Sequence, residues 1–205
     1  EMDKLLKKHF DVDGVVALEA QADGEMKLAV AISRRCVPLG EEGMRVLCAV
    51  LGRERVAGGL VSLDLSENTI GDAGAAALTC ALERCISLET LFLRSTSIGD
   101  TGAAALTSTL ACCPALRELH LCKNSISATG AAALSNALVG CHTLEKLYLN
   151  NNSIGNAGSA TLTKALVRSL AFNSLRELSL SGNEISFDCA REAERALSGV
   201  LYRYF

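Results

Sequence analysis

The sequence predicts an α/β solenoid, with a parallel sheet along one side and helices along the other. Two observations carry this expectation. Leucine opens equivalent segments at Leu60, Leu88, Leu116 and Leu144, a period of 28 residues, and again at Leu175 after a stretched unit of 31. Within each unit the apolar spacing then changes from the alternation of a strand to the three-to-four spacing of a helix. A unit of this kind cannot bury its apolar face alone, so successive copies must stack into a continuous core.

The strand half reads LxxLxLxxNxI or a close variant. The copies are LVSLDLSENTI (60–70), LETLFLRSTSI (88–98), LRELHLCKNSI (116–126), LEKLYLNNNSI (144–154) and LRELSLSGNEI (175–185). In the first, Leu63 and Leu65 alternate with Asp64 and Ser66, so one strand side faces inward and the other outward. The helical half of that copy is GDAGAAALTCALERCIS (71–87), with Ala77, Leu78, Ala81 and Leu82 expected on its inner side. Asp72, Asp100 and Asn156 are placed to cap the helices of their own copies. Ala128 cannot, so Ser127 is expected to start that helix.

The columns of the repeat assign further roles. Gly74, Gly102, Gly130 and Gly158 align, as do Leu78, Leu106, Leu134 and Leu162, then Leu82, Leu110, Leu138 and Leu166. Asn68, Asn124, Asn152 and Asn183 form another column, with Thr96 as its one replacement. A side-chain amide offers both a donor and an acceptor, so stacked amides can bridge successive buried turns. The asparagine column is therefore read as structural.

The ends of the chain are degenerate, as the terminal units of a solenoid should be. Residues 37–59 match the helical half of a repeat, with Leu39, Gly43, Leu47 and Leu51 standing for Ile70, Gly74, Leu78 and Leu82. Residues 27–33 alternate as a strand. Residues 1–27 are read as an N-terminal cap, in which Leu5, Leu6 and Phe10 could cover the end of the core. Residues 28–200 are read as the repeat domain of about six units, and 201–205 as an aromatic tail. In the last unit Phe187 and Cys189 replace helix-start residues and Ala193 takes a leucine position. Asp188, Arg191, Glu192, Glu194 and Arg195 suit a helix that faces solvent.

Composition narrows the function. The 205 residues are 49% apolar, enough for one continuous core. A net charge of −3 argues against nucleic acid as the main partner. No apolar stretch approaches the ~20 residues that span a bilayer, so no membrane partner is expected. The N-terminus lacks the apolar centre of a secretory signal. It opens on Glu1 and not on Met, as part of something longer would. Nine cysteines are scattered through repeat interiors, which suits a reducing, cytoplasmic or nuclear compartment. A monomer is expected in isolation.

Catalytic and metal chemistry find little support. Cys85, Cys113 and Cys141 share one repeat position, so stacking would set them in a column. Neighbours there would sit near the upper end of disulfide distances. Zinc needs four tetrahedral ligands, and no CxxC pair is present. Small apolar thiols filling repeat interiors explain the column with fewer assumptions. His120 and Cys122 lie two apart on one strand side, but an open sheet lacks the enclosure that tunes a nucleophile. No P-loop, GxSxG or HExxH motif occurs. Neither a metal, a cofactor nor a catalytic residue is expected.

The strand motif followed by IGxxGAxxLxxxL closely resembles the ribonuclease-inhibitor-like leucine-rich repeats. The resemblance is good over 60–200 and loose over 28–59. It implies a right-handed α/β horseshoe arc, sheet concave and helices convex. It also implies a non-catalytic module that binds another protein, as most members of that class do. The class includes ribonuclease inhibitor, cytosolic immune receptors, Ran GTPase-activating protein and subunits of cilia and flagella. Two alternatives are therefore GTPase activation of the Ran-activating type and a structural role in a cytoskeletal or axonemal assembly. The loop residues and acidic tail of the first are not matched in this chain.

In such an arc the residues between the strand leucines face the concave side. The central column reads Asp64, Phe92, His120, Tyr148, Ser179. One flank reads Ser62, Thr90, Glu118, Lys146, Glu177, and the other Ser66, Arg94, Cys122, Asn150, Ser181. Three consecutive rings stand out in a chain with three Tyr, five Phe and no Trp. Exposed rings anchor interfaces because they desolvate readily and lose little rotamer entropy. The expected partner-binding residues are Asp64, Phe92, Arg94, Glu118, His120, Lys146, Tyr148 and Asn150. The competing reading is that Phe92 and Tyr148 merely shield each other across strands.

Overall fold

A computed structural model describes residues 15–22, 25–32, 41–139, 141–169, 174–197 and 201–203. Among them run strands β1 (Val15–Ala22) and β2 (Glu25–Ile32), then helices α1 (Glu41–Leu51) and α2 (Glu54–Gly59). Strand and helix then alternate: β3 (Leu60–Asp64), α3 (Gly71–Leu82), β4 (Thr90–Phe92), α4 (Asp100–Cys112), β5 (Glu118–His120) and α5 (Ala128–Leu138). The series closes with β6 (Lys146–Tyr148), α6 (Gly155–Ser169), β7 (Glu177–Ser179), α7 (Phe187–Ala196) and β8 (Leu201–Arg203). The strands form one sheet in sequence order. β1 pairs antiparallel with β2 in a terminal hairpin, and every pair from β2 to β8 is parallel. This is the α/β repeat solenoid that the leucine period predicts.

Register follows the repeat. Leu63, Leu91, Leu119, Leu147 and Leu178 are cross-strand neighbours, and all are buried. Leu65, Leu93, Leu121, Leu149 and Leu180 form a second buried row beside them. Each such leucine stabilises the fold by about 1.5–3 kcal/mol relative to an exposed one. From the helical side, Leu78, Leu82, Leu106, Leu110, Leu134, Leu138, Leu162 and Leu166 close the same core. Each unit contributes one strand and one helix. Strands stand ~4.8 Å apart while packed helices need ~8–10 Å, so the helical side must be the longer, convex one.

The turns between strand and helix are held by the asparagine column. The Asn124 Oδ1 accepts the N–H groups of Thr96 and Ile98 from the preceding unit, and its Nδ2 donates to the Leu93 and Leu121 carbonyls. Asn152 and Asn183 repeat the pattern, accepting from Ile126 and Ile154. The stacked-amide reading of the sequence is thereby met at Asn124, Asn152 and Asn183, each tying two units. Just before it, Glu67, Ser95, Lys123 and Asn151 all hold a left-handed backbone (φ between 54° and 64°). Gly182 occupies the same position at φ 68°.

Three sequence readings need correction. Asp72, Asp100 and Asn156 do not cap their own helices; each accepts from the start of the next unit's helix. The Asp72 carboxylate takes the Gly99 N–H at 2.7 Å, and the Asn156 Oδ1 takes that of Ser186 at 2.8 Å. Asp100 takes the Ser127 N–H at 2.7 Å, the Gly130 N–H at 2.9 Å and the Ser127 hydroxyl at 2.6 Å. Ser127 itself caps α5, as expected, accepting from the Thr129 N–H. Secondly, Ala77 is exposed, and Ala75 and Thr79 are buried beside Leu78 instead. Thirdly, the helical half read at 37–59 holds two helices where the regular units hold one: α1, with Leu47 and Leu51 buried as expected, and α2, while 33–40, with Leu39, lie outside the described residues.

The ends also differ in detail. Val15–Ala22, within the expected cap, is a full strand of the sheet. Leu5, Leu6 and Phe10 lie outside the described residues. Within the aromatic tail, Leu201–Arg203 joins the sheet as β8, beside β7.

Candidate functional site

Parallel pairing without slippage brings the predicted columns together on the sheet face. Asp64 is the register partner of Phe92, Phe92 of His120, His120 of Tyr148 and Tyr148 of Ser179. The rings of Phe92 and His120 have centroids 4.4 Å apart at an interplanar angle of 33°. Those of His120 and Tyr148 are also 4.4 Å apart, at 23°. Phe92 and Tyr148 therefore do not shield each other directly, because His120 lies between them. All three side chains keep part of their surface open to solvent, whereas Ser179 is buried.

One flank is tied together by Glu118. Its carboxylate receives the Lys146 Nζ at 2.7 Å, and the His120 Nε2 lies 3.4 Å from its other oxygen. The Lys146 ammonium, then burial and the His120 contact, set the outcome: Glu118 titrates below the usual carboxylate range. His120 is also displaced downward, chiefly because burial disfavours its charged form. It thus stacks as a neutral ring at neutral pH. The Tyr148 hydroxyl donates to Glu177 at 3.0 Å, and burial first, then that carboxylate, raises its pKa. Outside this layer Arg117 pairs with Glu145 at 2.6 Å.

The other flank is more open. Arg94 is exposed and makes no ion pair among the described residues. Asn150 accepts from the Cys122 thiol at 3.2 Å. Cys122 is buried, and that burial raises its pKa. His120 turns to Glu118 and not to this thiol, so the two do not form a nucleophile and base. All eight predicted partner-binding residues thus lie on one continuous face: Asp64, Phe92, Arg94, Glu118, His120, Lys146, Tyr148 and Asn150. Sequence reasoning missed the role of Glu177 as the acceptor for Tyr148, although its place in the Glu118 column was legible.

The cysteine column lies elsewhere, in the core. Cys85, Cys113 and Cys141 are buried, and Cys113 donates weakly to the Leu82 carbonyl. Burial pushes the Cys85 thiol up to about 11 and raises Cys113 likewise. Such thiols pack as small apolar groups. Among the described residues no group of three or more His, Cys, Asp or Glu is arranged to hold a metal. No helix among them is long and apolar enough to cross a membrane.

Fold and face together define a repeat protein whose accessible chemistry lies on an open sheet. The chain belongs to the leucine-rich-repeat family. The family model described as "FBD-associated F-box protein At5g56370, LRR repeats" matches residues 51–162, and one described as "Leucine Rich repeat" matches 173–186. No curated protein sequence matches significantly. Among solved structures, an internalin (inlF) from Listeria monocytogenes shares 21% identity at a TM-score of 0.41, over 74% of this chain and 49% of the internalin. The chain thus spans about half the length of that protein. The leucine-rich-repeat ectodomain of the receptor kinase SOBIR1 from Arabidopsis thaliana shares 18% identity at a TM-score of 0.38, over 90% of this chain and 91% of the ectodomain.

Proposed function

We propose that this chain is a non-catalytic module that binds a partner protein through its sheet face. The stack of Phe92, His120 and Tyr148 carries the reading. A row of rings fixed by neighbouring strands is preorganised, so little side-chain entropy is lost when a partner covers it. Around it, Asp64, Arg94, Glu118, Lys146 and Asn150 supply a polar rim that sets orientation and rejects wrong partners. Among the described residues the open sheet encloses no reacting group, which supports a binding role over a catalytic one.

The 28-residue period, with a full helix in each regular unit, supports the ribonuclease-inhibitor-like subtype. Free thiols at all eight described cysteines support a reducing, cytoplasmic setting. The test is affinity capture with the wild-type chain against a Phe92→Ala, Tyr148→Ala double variant. Loss of a specific partner by the folded variant supports the reading. Retention of every partner at unchanged affinity overturns it.

A further inference from the structure

The helical side departs from the repeat at its last unit. Regular helices pack closely because glycine stands at the contact. A Cβ on Gly102 would lie 2.6 Å from Asp72 Oδ1 and 3.1 Å from Asp72 Cα, and Gly130 stands in the same relation to Asp100. In α7 that position holds Cys189, whose thiol meets the Asn156 carbonyl at 3.7 Å. Four residues on, Ala193 replaces the leucine of the column Leu78, Leu106, Leu134, Leu162. A larger group at the contact and a smaller one behind it leave α6 and α7 parted.

The result is a groove of about 600 Å³ between them. Ala160, Val167, Ala193 and Ala196 give it an apolar lining. Lys164 and Arg168, one turn apart on α6, stand on one wall and Glu192 on the other. Neither cation makes an ion pair among the described residues. Thr163 also lines the groove; it is only 8% exposed, and its hydroxyl has no hydrogen-bond partner among the described residues. Its counterparts Thr79 and Ser135 both donate to a carbonyl four residues earlier. An orphaned buried hydroxyl is costly unless something completes it.

We propose that this groove binds an anionic amphiphile, an apolar chain that ends in a carboxylate. The chain lies over the alanines and Val167. The head sits at the α6 wall against Lys164 and Arg168, away from Glu192, within reach of the Thr163 hydroxyl once that side chain changes rotamer. The volume falls in the range of ligand sites of about 300–1,000 Å³.

The test titrates decanoate and decylammonium, each below micelle formation, against the full chain by NMR chemical shift. Decanoate should perturb α6 and α7 and bind more tightly than the cation. Ala193→Leu restores the column residue and fills the groove, so it should keep the fold and weaken decanoate at least about tenfold. Lys164→Gln with Arg168→Gln, both on the surface, should erase the preference for decanoate. The proposal is overturned if decanoate fails to bind, binds no better than decylammonium, or binds the folded Ala193→Leu variant as tightly as wild type. Should that variant not fold, the Lys164 and Arg168 pair decides: an undiminished preference there overturns it.

Discussion

The imidazole of His120 lies face to face with the phenol of Tyr148, ring centroids 4.4 Å apart, while its Nε2 lies 3.4 Å from the Glu118 carboxylate. One strand position thus joins the ring column to the charged flank. The pairing exists because two residues 28 apart in sequence occupy the same place in successive units.

This placement makes stability depend on pH. Burial holds the folded-state pKa of His120 below its ordinary 6.5. Below that value the unfolded chain takes up a proton that the native imidazole refuses, so stability falls as pH drops from 6.5 toward the folded value. Glu118, whose pKa is also lowered, adds its loss only as pH falls below the usual carboxylate range. Urea melts at pH 7.5 and 5.5 should show a drop for wild type that is smaller in His120→Phe. An equal drop in both chains removes His120 from the account.

The staples between units should be measurable one at a time. Asp100 makes three hydrogen bonds to the start of α5, and Asp72 makes one to Gly99. Burial opposes the Asp100 charge, but the Ser127 hydroxyl and the Ser127 and Gly130 N–H groups outweigh it and hold its pKa low. Asp100→Ala should cost about 1–3 kcal/mol, more than Asp72→Ala. Chemical denaturation of the two variants checks the order.

Close packing at the glycine column predicts intolerance of a single methyl. A Cβ on Gly130 would meet Asp100 Oδ1 at 2.6 Å and Ile126 Cγ2 at 2.8 Å. Gly130→Ala should destabilise by about 1–3 kcal/mol, although alanine favours helices. A neutral or stabilising result in a thermal melt contradicts this contact.

The left-handed turn position predicts the opposite sign. Lys123 is exposed and sits at φ 54°, a conformation that a Cβ disfavours. Lys123→Gly should stabilise by about 0.5–1 kcal/mol once the greater entropy of unfolded glycine is deducted. Gly182, already relaxed at the equivalent place, is the internal reference.

What the sequence made legible was whatever a fixed period imposes. Leu63, Leu91, Leu119 and Leu147 had to align, and with them the rings between the strand leucines. Asn124 and Asn152 were readable because a buried turn demands a partner with both donor and acceptor. The role of Asp100 was hidden, because a capping rule inspects only the next few residues. The N–H groups that Asp100 satisfies lie 27 to 30 positions away, brought near by stacking. Ala77 was misplaced because alanine is small and apolar enough for either side of a helix, so composition alone could not orient it. Val15–Ala22 went unread as a strand because it pairs as a hairpin and follows no repeat.

The central claim is that partner contact occurs on the ring column and not on the helices. Photo-crosslinking tests it most directly, with the reactive side chain placed either at Tyr148 or at Val139, which is exposed beyond α5 on the helical side. Covalent capture of the partner from Tyr148 and not from Val139 is the predicted result. Capture from Val139 with none from Tyr148 would contradict it.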